Sequence, residues 1–201
     1  MSAPLRFTPF AVDPLFLERW SPRAFDGTSI TEDQLLTLFD AARWAPSAFN
    51  YQPWRFVYTQ RDSAVWGEFL DLLLPFNQTW VKDAAALIFI LSDTQIVAPG
   101  STEAKPAGSN SFDAGAAWAL LALQARRLGL HTHAMAGFDQ ARARSYFALA
   151  DRYRIEAAIA VGHLGDPAQL PEPLQAREFP SDRLPVEAIA FAGNLPDDLG
   201  A

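Results

Sequence analysis

The chain has 201 residues, of which half are hydrophobic and 19% charged; its formal net charge is −7 and it contains no cysteine. That acidic balance disfavours nucleic acid and anionic membranes as partners. The missing cysteine excludes thiolate nucleophiles, disulfides, iron–sulfur clusters and cysteine zinc sites.

Asp13 and Pro14 read as the N-cap and first position of a short helix running to Trp20, with Leu15, Phe16 and Leu17 turned inward and Arg19 to Arg23 delivered at its end. Thr31 and Gln34 have capping-box spacing, and Leu35, Leu38, Phe39 and Ala42 fall on one face of the helix that follows. Pro46 stops it, so residues 47–52 form a loop. The alternation from Trp54 to Thr59 predicts a strand, and the apolar run from Ala85 to Leu91 predicts a buried one. Between them a helix is expected over Ser63 to Leu74, then a short helix or turn from Pro75 to Trp80. Asp93 to Asn110, with Pro99, Gly100, Pro106 and Gly108, has linker character and suits a plain connection or a mobile loop over a site. Ser111 to Leu128 is a long helix closed by Gly129, and its Gly115, Ala116, Ala119 and Ala122 permit close approach by another helix. His131 to Ala136 and Ile155 to Val161 complete the strands, separated by a helix that Asp139 can cap. The length implies one domain over residues 1–201. With no bilayer-length apolar run and no leader pattern, a cytoplasmic location is expected.

The sequence shows no serine-hydrolase elbow, P-loop, dinucleotide fingerprint or zinc-protease motif, so an enzyme built on it relies on a bound cofactor. Two segments fit that role. Arg19, Trp20, Ser21 and Arg23 put cations and a hydroxyl at a helix end; Pro46, Ser47, Ala48 and Asn50 put small polar groups and a carboxamide in the loop before Gln52-Pro53-Trp54. Arginine forks pair with phosphate oxygens, and an asparagine amide offers both donor and acceptor to a ribityl chain or a pyrimidine edge. Arg183, restricted between Pro180 and Pro185, is a further phosphate candidate. Asn77 and Trp80 are candidates to face a ligand, although a tryptophan near a strand start more often packs in the core. His131 and His133 alternate along a strand with no third ligand beside them, so no metal site is assigned, and His163 between Gly162 and Gly165 reads as part of a turn.

Taken in order, Arg19-x-Ser21-x-Arg23-x-Phe25, Ala45-Pro46-Ser47-x-x-Asn50-x-Gln52-Pro53-Trp54, Ala136-Gly137-Phe138-Asp139, Val161-Gly162 and Arg183-Leu184-Pro185 resemble the FMN-dependent nitroreductase family over nearly the whole chain. The resemblance implies an α+β fold, with helices flanking a mainly antiparallel central sheet, and an intertwined homodimer holding two FMN sites at its interface. It implies that Arg19, Ser21 and Arg183 hold the phosphate and ribityl end, that Arg23 lies near the pyrimidine edge, and that Ser47, Ala48 and Asn50 reach in from the other subunit. Backbone groups at Ala136 and Gly137 would approach N5 and O4 of the flavin, and Asn77 would contact the ring. The chain departs from better-known members at Ala136, where some have an acidic residue, at Ser181, where some have a second phosphate-binding lysine, and at Trp20, where a smaller or basic residue is frequent. The implied activity is two-stage reduction of nitroaromatic, quinone or similar conjugated small-molecule acceptors through FMN, with NADH or NADPH as donor. The alternatives are a specialised flavin reaction such as reductive dehalogenation, and FMN binding without turnover as a storage or regulatory module.

Overall fold

The computed structural model describes residues 6–97 and 100–196. Along the chain come α1 (Pro14–Glu18), α2 (Glu32–Ala42), β1 (Trp54–Gln60), α3 (Trp66–Leu70), α4 (Pro75–Val81), β2 (Ala86–Asp93), β3 (Gln95–Val97), β4 (Ala104–Pro106), α5 (Asn110–Arg127), β5 (His131–Met135), α6 (Gln140–Tyr146), β6 (Tyr153–Gly162) and α7 (Glu172–Gln175). A four-stranded sheet in the order β1-β2-β6-β5, antiparallel throughout, forms the middle layer. Strand β2 is buried along its whole length because both faces of the sheet are covered. Its alternating side chains divide between two cores: Leu87, Phe89 and Leu91 pack with Phe69, Trp80 and Ala143, while Ala86, Ile88 and Ile90 pack with Leu35 and Leu38 of α2 and Ala117 and Leu121 of α5. The result is a three-layer α+β architecture, as expected.

The expected caps are in place. Thr31 and Gln34 make the reciprocal capping box, and Asp13 and Asp139 accept from Leu15 and Arg142 N–H groups. Three expectations need correction. Helix α1 stops at Glu18, and Phe16 is 54% exposed rather than turned inward. The helix expected over Ser63 to Leu74 shrinks to α3, because Leu72 and Leu74 leave the helix to pair with the chain at Asp139 and Gly137; that long-range bridge takes the hydrogen bonds a longer helix would have used. The Asp93 to Asn110 segment is no plain connection. Strands β3 and β4 pair as an antiparallel ribbon anchored where the Thr94 N–H donates to Arg152 O at 2.8 Å; Ala98 and Pro99 lie outside the described residues. Among the described residues no helix is long and apolar enough to cross a membrane.

The segment carrying Arg23 is fixed by a close backbone approach. Asp26 N–H donates to His163 O at 3.2 Å and Gly165 N–H to Ala24 O at 2.8 Å, which seats the Phe25 ring on Trp80 with centroids 6.3 Å apart. Gly162 and Gly165 both lie outside the left-handed region, so proximity and not turn geometry requires them. A Cβ at Gly165 would stand 2.5 Å from the Phe25 carbonyl carbon, and one at Gly162 would stand 2.8 Å from the Phe25 ring. We expect Gly165→Ala to cost about 1–3 kcal/mol, the usual penalty for overpacking, read as a lower urea midpoint at unchanged slope. An unchanged midpoint would show that the Phe25 segment moves aside freely.

Candidate functional site

Helix α1 ends because Arg19 adopts extended backbone, and the chain then bends at Arg23. Arg19 and Arg23 are brought together by this bend and not by a shared helical face, yet both line one cavity of about 380 Å³. Arg6, Arg177 and Arg183 line it as well, and its remaining walls, which include Trp20, Ser21, His133 and Ser181, contain no carboxylate. None of the five arginines has an ion-pair partner among the described residues. Side-chain hydrogen bonds hold three of them, Arg6, Arg19 and Arg183, in place. Arg6 donates to Ser181 O at 2.8 Å and Arg19 O at 2.7 Å, Arg19 donates to Ser21 Oγ at 3.2 Å, and Arg183 donates to Ser181 Oγ at 2.9 Å. Burial, then the charges of Arg6 and Arg183, hold the Arg19 pKa below its ordinary value; burial and then Arg183 do the same to Arg6. Guanidinium does not give up its proton in proteins, so this corner stores like-charge repulsion that a bound anion relieves.

A second cavity of about 460 Å³ shares Arg19 and Ser21 with the first and is otherwise apolar, lined by Phe16, Trp118, Ala122 and Ala134 among others. The small residues of α5 leave room there, and the exposed Phe16 forms one wall. A cationic cup opening onto an apolar trough matches a ligand with an anionic end and a flat, largely apolar body.

The Pro46 to Asn50 loop lines neither cavity. It sits at the other end of α5, where buried Asp113 accepts from the Ala48 N–H at 3.2 Å and from Ser109 Oγ at 3.0 Å. Asp113 and trough-lining Ala122 are nine residues, or about 14 Å of helix, apart. The loop is tightly shaped: Phe49, Asn50 and Gln52 all have positive φ, and Ser47 Oγ accepts from the Gln52 N–H at 3.0 Å. Asn77 is buried and donates to Gly137 O at 2.9 Å, an oxygen that also accepts from Leu74 N–H at 3.0 Å. With that carbonyl taken, the Gly137 corner, next to exposed Ala136 beyond the end of β5, offers its N–H and not its oxygen. A Cβ at Gly137 would stand 2.3 Å from Asn77 Nδ2, so glycine is needed for this approach. Trp20 both lines the cavity and packs edge-on against His131, with centroids 6.1 Å apart.

Four residues were not singled out from the sequence: Arg6, Arg177, Asp113 and Glu178. Asp113 carried a signal, being the one acidic residue of α5, in its first turn ahead of a largely apolar stretch. Arg6 and Arg177 carried none, because only the fold brings the two chain ends to Arg19. Arg6 also supplies a cation beside Ser181.

The nitroreductase family profile matches residues 17–75 and 70–163 of this chain. The chain belongs to the nitroreductase family. It is similar to a Thermus thermophilus NADH dehydrogenase, 31% identical over 204 residues, covering 87% of this chain and 92% of that protein. A CLA biosynthesis enone reductase of Lactiplantibacillus plantarum is 37% identical over 82 residues, 40% of this chain and 37% of that protein. A crystal structure described as an oxidoreductase containing FMN superposes with a TM-score of 0.92 at 46% identity, covering 98% of this chain and 99% of that one.

The pKa values of His131 and His133 are lowered to about 4, mainly by burial. His133 Nδ1 lies 2.9 Å from Pro22 O and its ring packs on Trp80, while His131 Nδ1 is buried with no hydrogen-bond partner among the described residues. Unfolded histidine titrates near 6.5, so the unfolded chain binds more protons between there and pH 4. Their contribution to stability is therefore complete above pH 6.5 and is lost as pH falls toward 4. We expect the urea midpoint to drop across this window in the wild type and to drop less in His131→Phe; identical pH profiles would assign the loss to other groups.

Proposed function

We propose that this chain is an FMN-dependent oxidoreductase that uses NADH or NADPH to reduce small conjugated acceptors such as nitroaromatics, quinones or enones. The observation that carries this reading is the cationic cup without a carboxylate, opening onto an apolar trough. Similarity to the FMN-containing oxidoreductase and to the NADH dehydrogenase supports it, and the enone reductase supports the acceptor class. The chemistry a bound FMN would supply is hydride acceptance from the nicotinamide and electron delivery to the acceptor, in separate half-reactions.

The protein's part is to bind and bias. Arg19, Arg183 and Ser21 hold the phosphate, with Arg6 adding charge; Arg23 opposes negative charge at the pyrimidine edge. Asn77, Ala136 and Gly137 line neither the cup nor the trough; the Gly137 N–H, on a corner that Asn77 holds through the Gly137 carbonyl, would be the backbone donor to a flavin ring reaching past the trough. Since one chain keeps the Pro46 to Asn50 loop and the cup apart, Ser47, Ala48 and Asn50 come from a second copy, and the active form is a homodimer. Exposed Phe49 and Phe112, 89% and 82% exposed in one chain, are then covered by the partner or stack against the acceptor.

The purified protein should be yellow, carry about one FMN per chain, and run as a dimer in light scattering; a colourless protein that takes up no FMN sinks the proposal. Arg19→Ala or Arg183→Ala should each weaken FMN binding by about 1.5–3 kcal/mol, or roughly ten- to a hundredfold. Arg23→Ala should instead lower the reduction potential more than the occupancy. Wild-type affinities and potentials in all three variants would mark these arginines as ordinary surface charges.

A further inference from the structure

Glu178 lies just outside the cup and is only 8% exposed. Its Oε1 accepts the Arg23 N–H at 2.6 Å and the Ala24 N–H at 2.8 Å, so the carboxylate grips the backbone from which the Arg23 side chain projects. Its Oε2 is buried with no hydrogen-bond partner among the described residues. One amide oxygen would satisfy both N–H groups, and burying a carboxylate costs far more than burying an amide. What the carboxylate adds is negative charge, placed beside Arg23.

We propose that Glu178 is the positioning and charge-balancing residue for Arg23: it fixes where Arg23 stands and cancels part of the positive field Arg23 exerts on a bound anionic cofactor. Consistent with that field, burial pulls the Arg23 pKa down while Glu178 pulls it up. The inference rests on reading the cup as an FMN site. Arg23 favours the reduced, more negative cofactor, and Glu178 holds that preference in check. A purely structural anchor would do the first job without the second.

The test is FMN titration and potentiometry on the wild type, Glu178→Gln, Glu178→Ala and Arg23→Ala. Glu178→Gln keeps an acceptor for both N–H groups, so it should melt and bind oxidised FMN much as the wild type does. Its preference for reduced over oxidised FMN should rise by about tenfold, which for a two-electron couple raises the midpoint potential by about 30 mV. Glu178→Ala loses the acceptor and should bind FMN roughly tenfold more weakly. A Glu178→Gln potential at or below that of the wild type overturns the inference, as does wild-type FMN affinity in Glu178→Ala. If Arg23→Ala lowers the potential while Glu178→Gln leaves it unchanged, the FMN reading stands and the role of Glu178 falls. If Glu178→Gln raises it while Arg23→Ala does not lower it, Glu178 acts on something other than Arg23, and the inference falls again. A wild-type chain that takes up no FMN removes both.

Discussion

Five arginines converge on one cavity of a chain whose net charge is −7, and no carboxylate lines that cavity to neutralise them. Like charges at close range in a partly buried setting repel, and the fold has to hold them together by other means. It does so with backbone. Arg6 donates to carbonyls on two separate segments, Arg183 folds onto its own turn at Ser181, and Arg23 is fixed through the Glu178 carboxylate and the Phe25 segment packed on Gly165. The neighbouring structure follows from this arrangement. Gly162 and Gly165 are bare because the Phe25 backbone and ring occupy the space a Cβ would need.

The apolar half of the site has a different logic. Small residues on α5 open a trough beside the cup, while large apolar side chains such as Phe7, Phe49, Phe112 and Leu184 remain exposed on the single chain. Under the proposed function, the loop at Asp113 and the cup at Arg19, which lie apart in one chain, are two halves of a site that a second copy would complete.

Much of this was legible in the sequence. The four strands of the central sheet and the three caps at Asp13, Thr31 and Asp139 follow from periodicity, proline and hydrogen-bonding chemistry that act locally. What stayed hidden depends on contacts far apart in the chain. Helix α3 is cut short by pairing of Leu72 to Leu74 with residues 137–139, and nothing in its own composition announces that. Gly162 and Gly165 looked like turn residues but are there for clearance. Arg6 and Glu178 are separated from their partners Ser181 and Arg23 by most of the chain, so their roles emerge only when both termini meet at the cup.

The central claim is that the cup exists to hold a phosphate, and comparing two flavins tests it most directly. FMN and riboflavin differ only by that group, so apoprotein titrated with each by flavin fluorescence isolates its contribution. With several charge-assisted hydrogen bonds to the phosphate, each worth about 1.5–3 kcal/mol, FMN should bind at least a hundredfold more tightly than riboflavin. Equal affinities for the two would contradict the account, leaving the arginine cluster without the ligand assigned to it.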